Sequence, residues 1–142
     1  MKGQNNMSMD TRLDILLSQA YSPADIITAF EQIGWKNDTG SGMMHYVIAE
    51  GMFEWQTAPA DTAALLEAVG SKPFIARLRN GCLMIDVYIS GENGFSVFLD
   101  MYRLIKESKQ GSYTDFNRYC EYIVLPLGKI IGVEGFSFHQ HF

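Results

Sequence analysis

The residues with the most suggestive chemistry are Asp38-Thr39-Gly40-Ser41, which carry the letters of an aspartic-protease loop. In such enzymes two loops must meet so that their carboxylates share one proton. An apolar strand should precede the loop and bury the carboxyl, yet Lys36 and Asn37 stand there, so the stretch reads as an Asx-type turn. His139 and His141 would point the same way from a strand and could share a metal ion, with His45 or a carboxylate as third ligand. Two ligands do not make a site, and the pair reads as exposed tail histidines. Ser96 and Ser137 each follow a Gly-Phe pair but lack the second glycine of a nucleophile elbow. Neither Cys82 nor Cys120 has a His at a recognisable spacing, and the two are too few for a disulfide framework, so both read as reduced thiols. Gly40 and Gly42 lack the preceding strand and the later Lys-Ser/Thr of a phosphate loop. None of the 16 Asp and Glu residues stands in a context that marks it as an acid or a base. The expectation is therefore no catalytic residue, no metal and no cofactor.

The polar residues best placed by pattern lie in a β-hairpin over residues 74–89. Asn80-Gly81 suits a type I′ turn, whose two central residues need positive φ. Pairing outward sets Leu78 against Leu83, Ala76 against Ile85 and Phe74 against Val87, all on one apolar face. The other face sets Arg79 against Cys82, Arg77 against Met84 and Ile75 against Asp86, with Tyr88 beyond. Arg77 is then diagonal to Asp86, within reach of a cross-strand ion pair. Arg, Met and Tyr are enriched at interfaces, so Arg77, Arg79, Asp86 and Tyr88 are a candidate binding face as well as an ordinary half-solvated one.

The elements that must hold this hairpin follow in chain order. Residues 1–9 are polar with scattered Met and read as a flexible terminus, leaving 10–142 as one domain. Leu13, Leu16, Leu17 and Ala20 suggest an amphipathic helix over 10–20. A better marked helix has Ser22 as cap, Pro23 in the first turn, Asp25 at the positive end and a stripe of Ile26, Ile27, Phe30 and Ile33 before Gly34. A second hairpin turns about Glu50-Gly51, with Ile48 against Phe53, Tyr46 against Trp55 and Met44 against Thr57. Asp61 caps a helix that Gly70 stops. Residues 95–105 fit both periods, and length favours a helix. Ser112 is expected to cap a further helix closed by Pro126, and residues 129–142 suit an edge strand or a docked tail. The fold class is α+β: two antiparallel hairpins in one sheet packed against several helices.

At 142 residues, with 47% hydrophobic and 19% charged, the chain suits one ordinary globular domain. Net charge −5 with only 11 scattered Lys and Arg gives no footprint for nucleic acid, and no apolar run is long enough for a membrane helix. A cytoplasmic location is expected. In element order, residues 24–109 resemble the compact α+β fold of type III secretion chaperones, small acidic proteins that bind a client segment. That resemblance and the absence of a catalytic signature imply a non-catalytic protein-binding module, either an inhibitor or immunity protein or a chaperone-like protein. A basic partner fits the acidic balance, with Glu50, Glu54, Asp61 and Glu67 as a candidate patch, and a homodimer is compatible with it. The rival reading is a ligand sensor or small enzyme with a pocket lined by Met44, Trp55, Met84 and Phe98.

Overall fold

Leu13, Ile15 and Leu17 are buried while Asp14 and Leu16 face outward, and this two-residue alternation makes the first element a strand, β1 (Thr11–Leu17). The computed structural model describes residues 11–49, 54–101 and 103–141, so the terminus expected over 1–9 lies outside the described residues. The helix expected over 10–20 is corrected to this strand. The window satisfies both periods, and the choice is made by two partners distant in sequence, because β1 pairs with β6 (Gly94–Phe98) on one side and β9 (Val133–Gln140) on the other.

Seven antiparallel strands form one sheet in the order β3-β2-β4-β5-β6-β1-β9, with β2 at Met43–Ile48, β3 at Gln56–Pro59, β4 at Phe74–Asn80 and β5 at Leu83–Ile89. The two expected strand pairs thus lie in one sheet, with different registers. In β4–β5 Asn80 pairs with Leu83, Leu78 with Ile85, Ala76 with Val87 and Phe74 with Ile89, a slide of two residues from the expected ladder. The central turn residues are therefore Gly81 and Cys82. Gly81 has φ 64° and Ser41 alone among described non-glycine residues has positive φ, which is the pattern of a type II′ turn rather than type I′. A slide of two leaves both faces unchanged, so alternation could not detect it.

In β2–β3 Met44 pairs with Ala58, His45 with Thr57 and Tyr46 with Gln56, one residue away from the expected register. The expected turn Glu50-Gly51 and Phe53 lie outside the described residues. Of residues 95–105, expected as a helix, the first part is corrected to strand: Phe95 and Val97 are buried in β6 between β1 and β5, and Leu99 is buried just beyond its end. Gly94 permits the approach, since a Cβ there would stand 2.7 Å from the Ile15 carbonyl oxygen.

Helix α1 (Pro23–Gln32) begins with a full capping box between Ser22 and Asp25, and α2 (Thr62–Val69) is capped by Asp61. A small hairpin, β7 (Ile105–Ser108) and β8 (Gly111–Thr114), occupies the place where Ser112 was expected to cap a helix; Asp115 caps α3 (Phe116–Tyr119) instead. A π-helical stretch (Cys120–Val124) and α4 (Leu125–Leu127) continue it, with Pro126 inside the last turn rather than closing the helix. Every buried residue of these helices joins one core, in which Ile26, Phe30, Leu65, Tyr119 and Leu127 meet Leu13, Phe74, Leu78, Ile85, Val87 and Val97 of the sheet. Trp35, fully buried, ties α1 to the C-terminal helices by donating its indole N–H to the Tyr122 carbonyl at 3.3 Å. The architecture is a large antiparallel sheet and a small second sheet with helices packed against the large one, a mostly β form of the expected α+β class.

Candidate functional site: the helix-free face of the sheet

Because alternate residues of each strand leave the core, the opposite face of the sheet is assembled from all the strands at once. One row runs Arg77, Asp86, Phe98, Arg12, His139 across five strands. The next runs Val47, Ile75, Tyr88, Ser96, Asp14, Ser137 across six. No described helix contributes a buried residue to this side.

The rows divide into two chemical halves. At one end Arg77 sits directly across from Asp86, correcting the diagonal placement, and binds it through two nitrogens at 2.8 and 3.3 Å. Its guanidinium also lies 4.2 Å from the ring centroid of Trp55, so the cation is held by a carboxylate fork and an aromatic face together. Val47 and Ile75 are buried at 0% and 1% exposure yet stand outside the main core, forming a dry spot next to Tyr88. Tyr88 meets Phe98 with ring centroids 6.5 Å apart. Planar groups thus cover this half.

The other half is polar. Asp14 accepts from Arg12 Nε at 3.0 and 3.1 Å and from the Ser96 hydroxyl at 2.7 Å, and His139 Nε2 lies 3.2 Å from it. Ser137 Oγ is 3.1 Å from the same His139 nitrogen. A Ser, a His and an Asp are therefore adjacent, but a proton relay needs the base to meet the nucleophile with one ring nitrogen and the carboxylate with the other. Here one nitrogen faces both, and Arg12 and Ser96 already occupy the carboxylate. Sequence reasoning missed this cluster because it needs β1 as a strand beside β9; the spacing of Arg12 with Asp14 and of Ser137 with His139 was the available signal.

The candidates named from the sequence fall in several places. Arg77, Asp86 and Tyr88 share the face just described. Arg79 lies at the end of β4, where its Nε donates to the Asp38 carbonyl at 3.3 Å. Asp38 uses its carboxylate to accept from Gly40 N–H and Gly42 N–H at 3.0 and 3.1 Å, which is an Asx turn. Asp61 and Glu67 belong to α2 in the opposite layer, Glu54 is exposed before β3, and Glu50 lies outside the described residues. Asp61 and Glu67 therefore lie on a different element from the Arg77 group. Met44 faces the core while Met84 and Phe98 lie on the far face, so the residues named for the rival pocket are divided between the two faces of the sheet.

Two open clefts flank the β4–β5 turn. One of about 320 Å³ is lined by Cys82, Leu83, Leu104, Arg118 and Tyr122, and another of about 400 Å³ by Gly34, Lys36, Asp38 and Arg79. Cys82 is exposed and Cys120 half-buried, both as free thiols, and burial pushes the Cys120 thiol upward from its ordinary value. His45 pairs with Thr39 through Nδ1 at 2.9 Å, on strand β2, far in the sheet order from His139 on β9. Among the described residues no group of three His, Cys, Asp or Glu could hold a metal ion, and no helix is long and apolar enough to cross a membrane. No protein-family model, curated protein or solved structure matches this chain.

Proposed function

We propose that this protein is a non-catalytic protein-binding module that takes its partner on the helix-free face of the seven-stranded sheet. The observation that carries this reading is the set of planar groups on this face, Trp55 over Arg77 and Tyr88 beside Phe98, with Tyr88 paired across the ladder to the buried Ile75. Rigid aromatic and guanidinium groups around a desolvated centre are the composition of interface hot spots. The charges on this face are paired among themselves, Arg77 with Asp86 and Arg12 with Asp14. The patch therefore offers stacking and shape, while the net charge of −5 steers a basic partner toward the molecule from a distance. An inhibitor or immunity role and a client-binding role in the cytoplasm both fall within this reading.

The experiment is affinity purification from the source cells with the wild-type chain and with Tyr88→Lys as parallel baits, each checked for folding by circular dichroism. Proteins enriched by the wild type and lost with folded Tyr88→Lys support the reading. Equal recovery by both baits removes this face as the docking surface.

A further inference from the structure

The two edges of the sheet are built differently. Strand β3 at one edge has four residues and ends in Pro59, which has no N–H to offer. Short length and proline are the usual guards against a further strand. Strand β9 at the other edge has eight residues, contains neither Pro nor Lys, and exposes Phe136 to 47%. Its bulge is confined to the Val133 end, where the register shifts between Leu16 and Leu17, so the rest of the strand pairs regularly.

The outward backbone groups of β9 follow from the bonds of β1. Leu17 N–H donates to the Asn93 carbonyl and Thr11 C=O accepts from Leu99 N–H, so odd-numbered residues of β1 turn their backbone toward β6 and even-numbered ones toward β9. The pairs Arg12 with His139, Asp14 with Ser137 and Leu16 with Gly135 are then the hydrogen-bonded ones. That leaves Phe136, Phe138 and Gln140 with N–H and C=O pointing away from the sheet, while Glu134 is the extra residue of the bulge. Among the described residues none of these backbone groups has a hydrogen-bond partner beyond the ladder to β1. The Gln140 side chain is engaged separately, accepting from Thr114 N–H at 3.1 Å.

We propose that β9 pairs antiparallel with β9 of a second copy about a twofold axis at Ser137. Independently of the function proposed above, this register is the one the strand's own residues complete. It sets Phe136 against Phe138 of the second copy on outward backbone positions, with about four hydrogen bonds across the axis, and brings Gln140 opposite the bulge at Glu134. The aromatic pairs fall on the helix side, where Phe136 and Phe138 already meet edge-to-face with ring centroids 5.9 Å apart. The two sheets become continuous, and their helix-free faces lie side by side.

The test combines mass and register. Sedimentation of the full chain over a concentration series is expected to show apparent mass rising from 16.0 kDa toward twice that value. Phe136→Lys, which puts a charge on the edge, is expected to stay monomeric while keeping the wild-type circular dichroism spectrum. In a Cys82→Ser, Cys120→Ala background, Ser137→Cys is expected to form an intermolecular disulfide on oxidation. The two Cα atoms would be about 4.5 Å apart in a non-hydrogen-bonded pair, within disulfide reach. His139→Cys, whose mate is Gly135, is expected not to cross-link. A wild-type chain monomeric throughout the series overturns the proposal, as does a dimer that survives Phe136→Lys or cross-links equally at both positions. Capture of an extended peptide on β9 by a chain that stays monomeric overturns it in favour of a different occupant.

Discussion

Arg77 and Asp86 stand directly opposite each other in the β4–β5 ladder, 2.8 Å apart, and each side chain is only 17% exposed. A pair this sheltered is screened less than a surface ion pair, and removing one member leaves the other charge half-buried. Arg77→Ala also uncovers the Trp55 ring. It is expected to cost about 2 kcal/mol in urea denaturation. Arg77→Lys, which keeps the charge and loses the fork, should cost less. In a double-mutant cycle Arg77→Ala and Asp86→Ala should couple by about 1 kcal/mol or more, and strict additivity would show that the pair contributes through packing alone.

Leu13 and Leu16 separate the strand from the helix as a reading of the first element. Leu13 is fully buried between β6 and β9, and Leu16 is 51% exposed. Leu13→Ala is expected to destabilise by about 3 kcal/mol and Leu16→Ala by less than about 0.5 kcal/mol. A helical stripe would make the two substitutions comparable.

Tyr119 links stability to alkaline pH. Burial raises its pKa above the ordinary 10.0, partly opposed by the hydrogen bond its hydroxyl accepts from Leu104 N–H at 2.9 Å. The folded state therefore retains a proton that the unfolded state releases near pH 10.0, so the stabilisation is complete below that pH and is lost as pH rises through the folded value. Urea midpoints measured from about pH 8 to about pH 11 should fall more steeply for the wild type than for Tyr119→Phe. Parallel curves would assign the alkaline loss to other groups.

The local signals were legible wherever one residue type answers one backbone need. Ser22, Pro23 and Asp25 announced α1, Asp61 announced α2, and the alternation from Phe74 to Ile89 announced a hairpin with an apolar face. Those features depend on neighbours within a few residues, so the sequence by itself determined them. It also determined which face of that hairpin is polar, and hence that Arg77, Asp86 and Tyr88 would lie together.

Tertiary structure decided what local pattern leaves degenerate. Residues 11–17 and 94–98 satisfy helical and strand periods alike, and they became adjacent strands because each supplies the other's hydrogen bonds across 78 to 86 residues of chain. The two-residue slide about Gly81 preserved every face, so hydrophobic pattern could not choose the register and turn geometry did. The cluster of Arg12, Asp14, Ser96 and His139 arises only when β1 is inserted between β6 and β9. Backbone donors and acceptors must all be paired, and in a sheet the partner that satisfies them can lie anywhere in the chain, which no window of neighbouring residues can show.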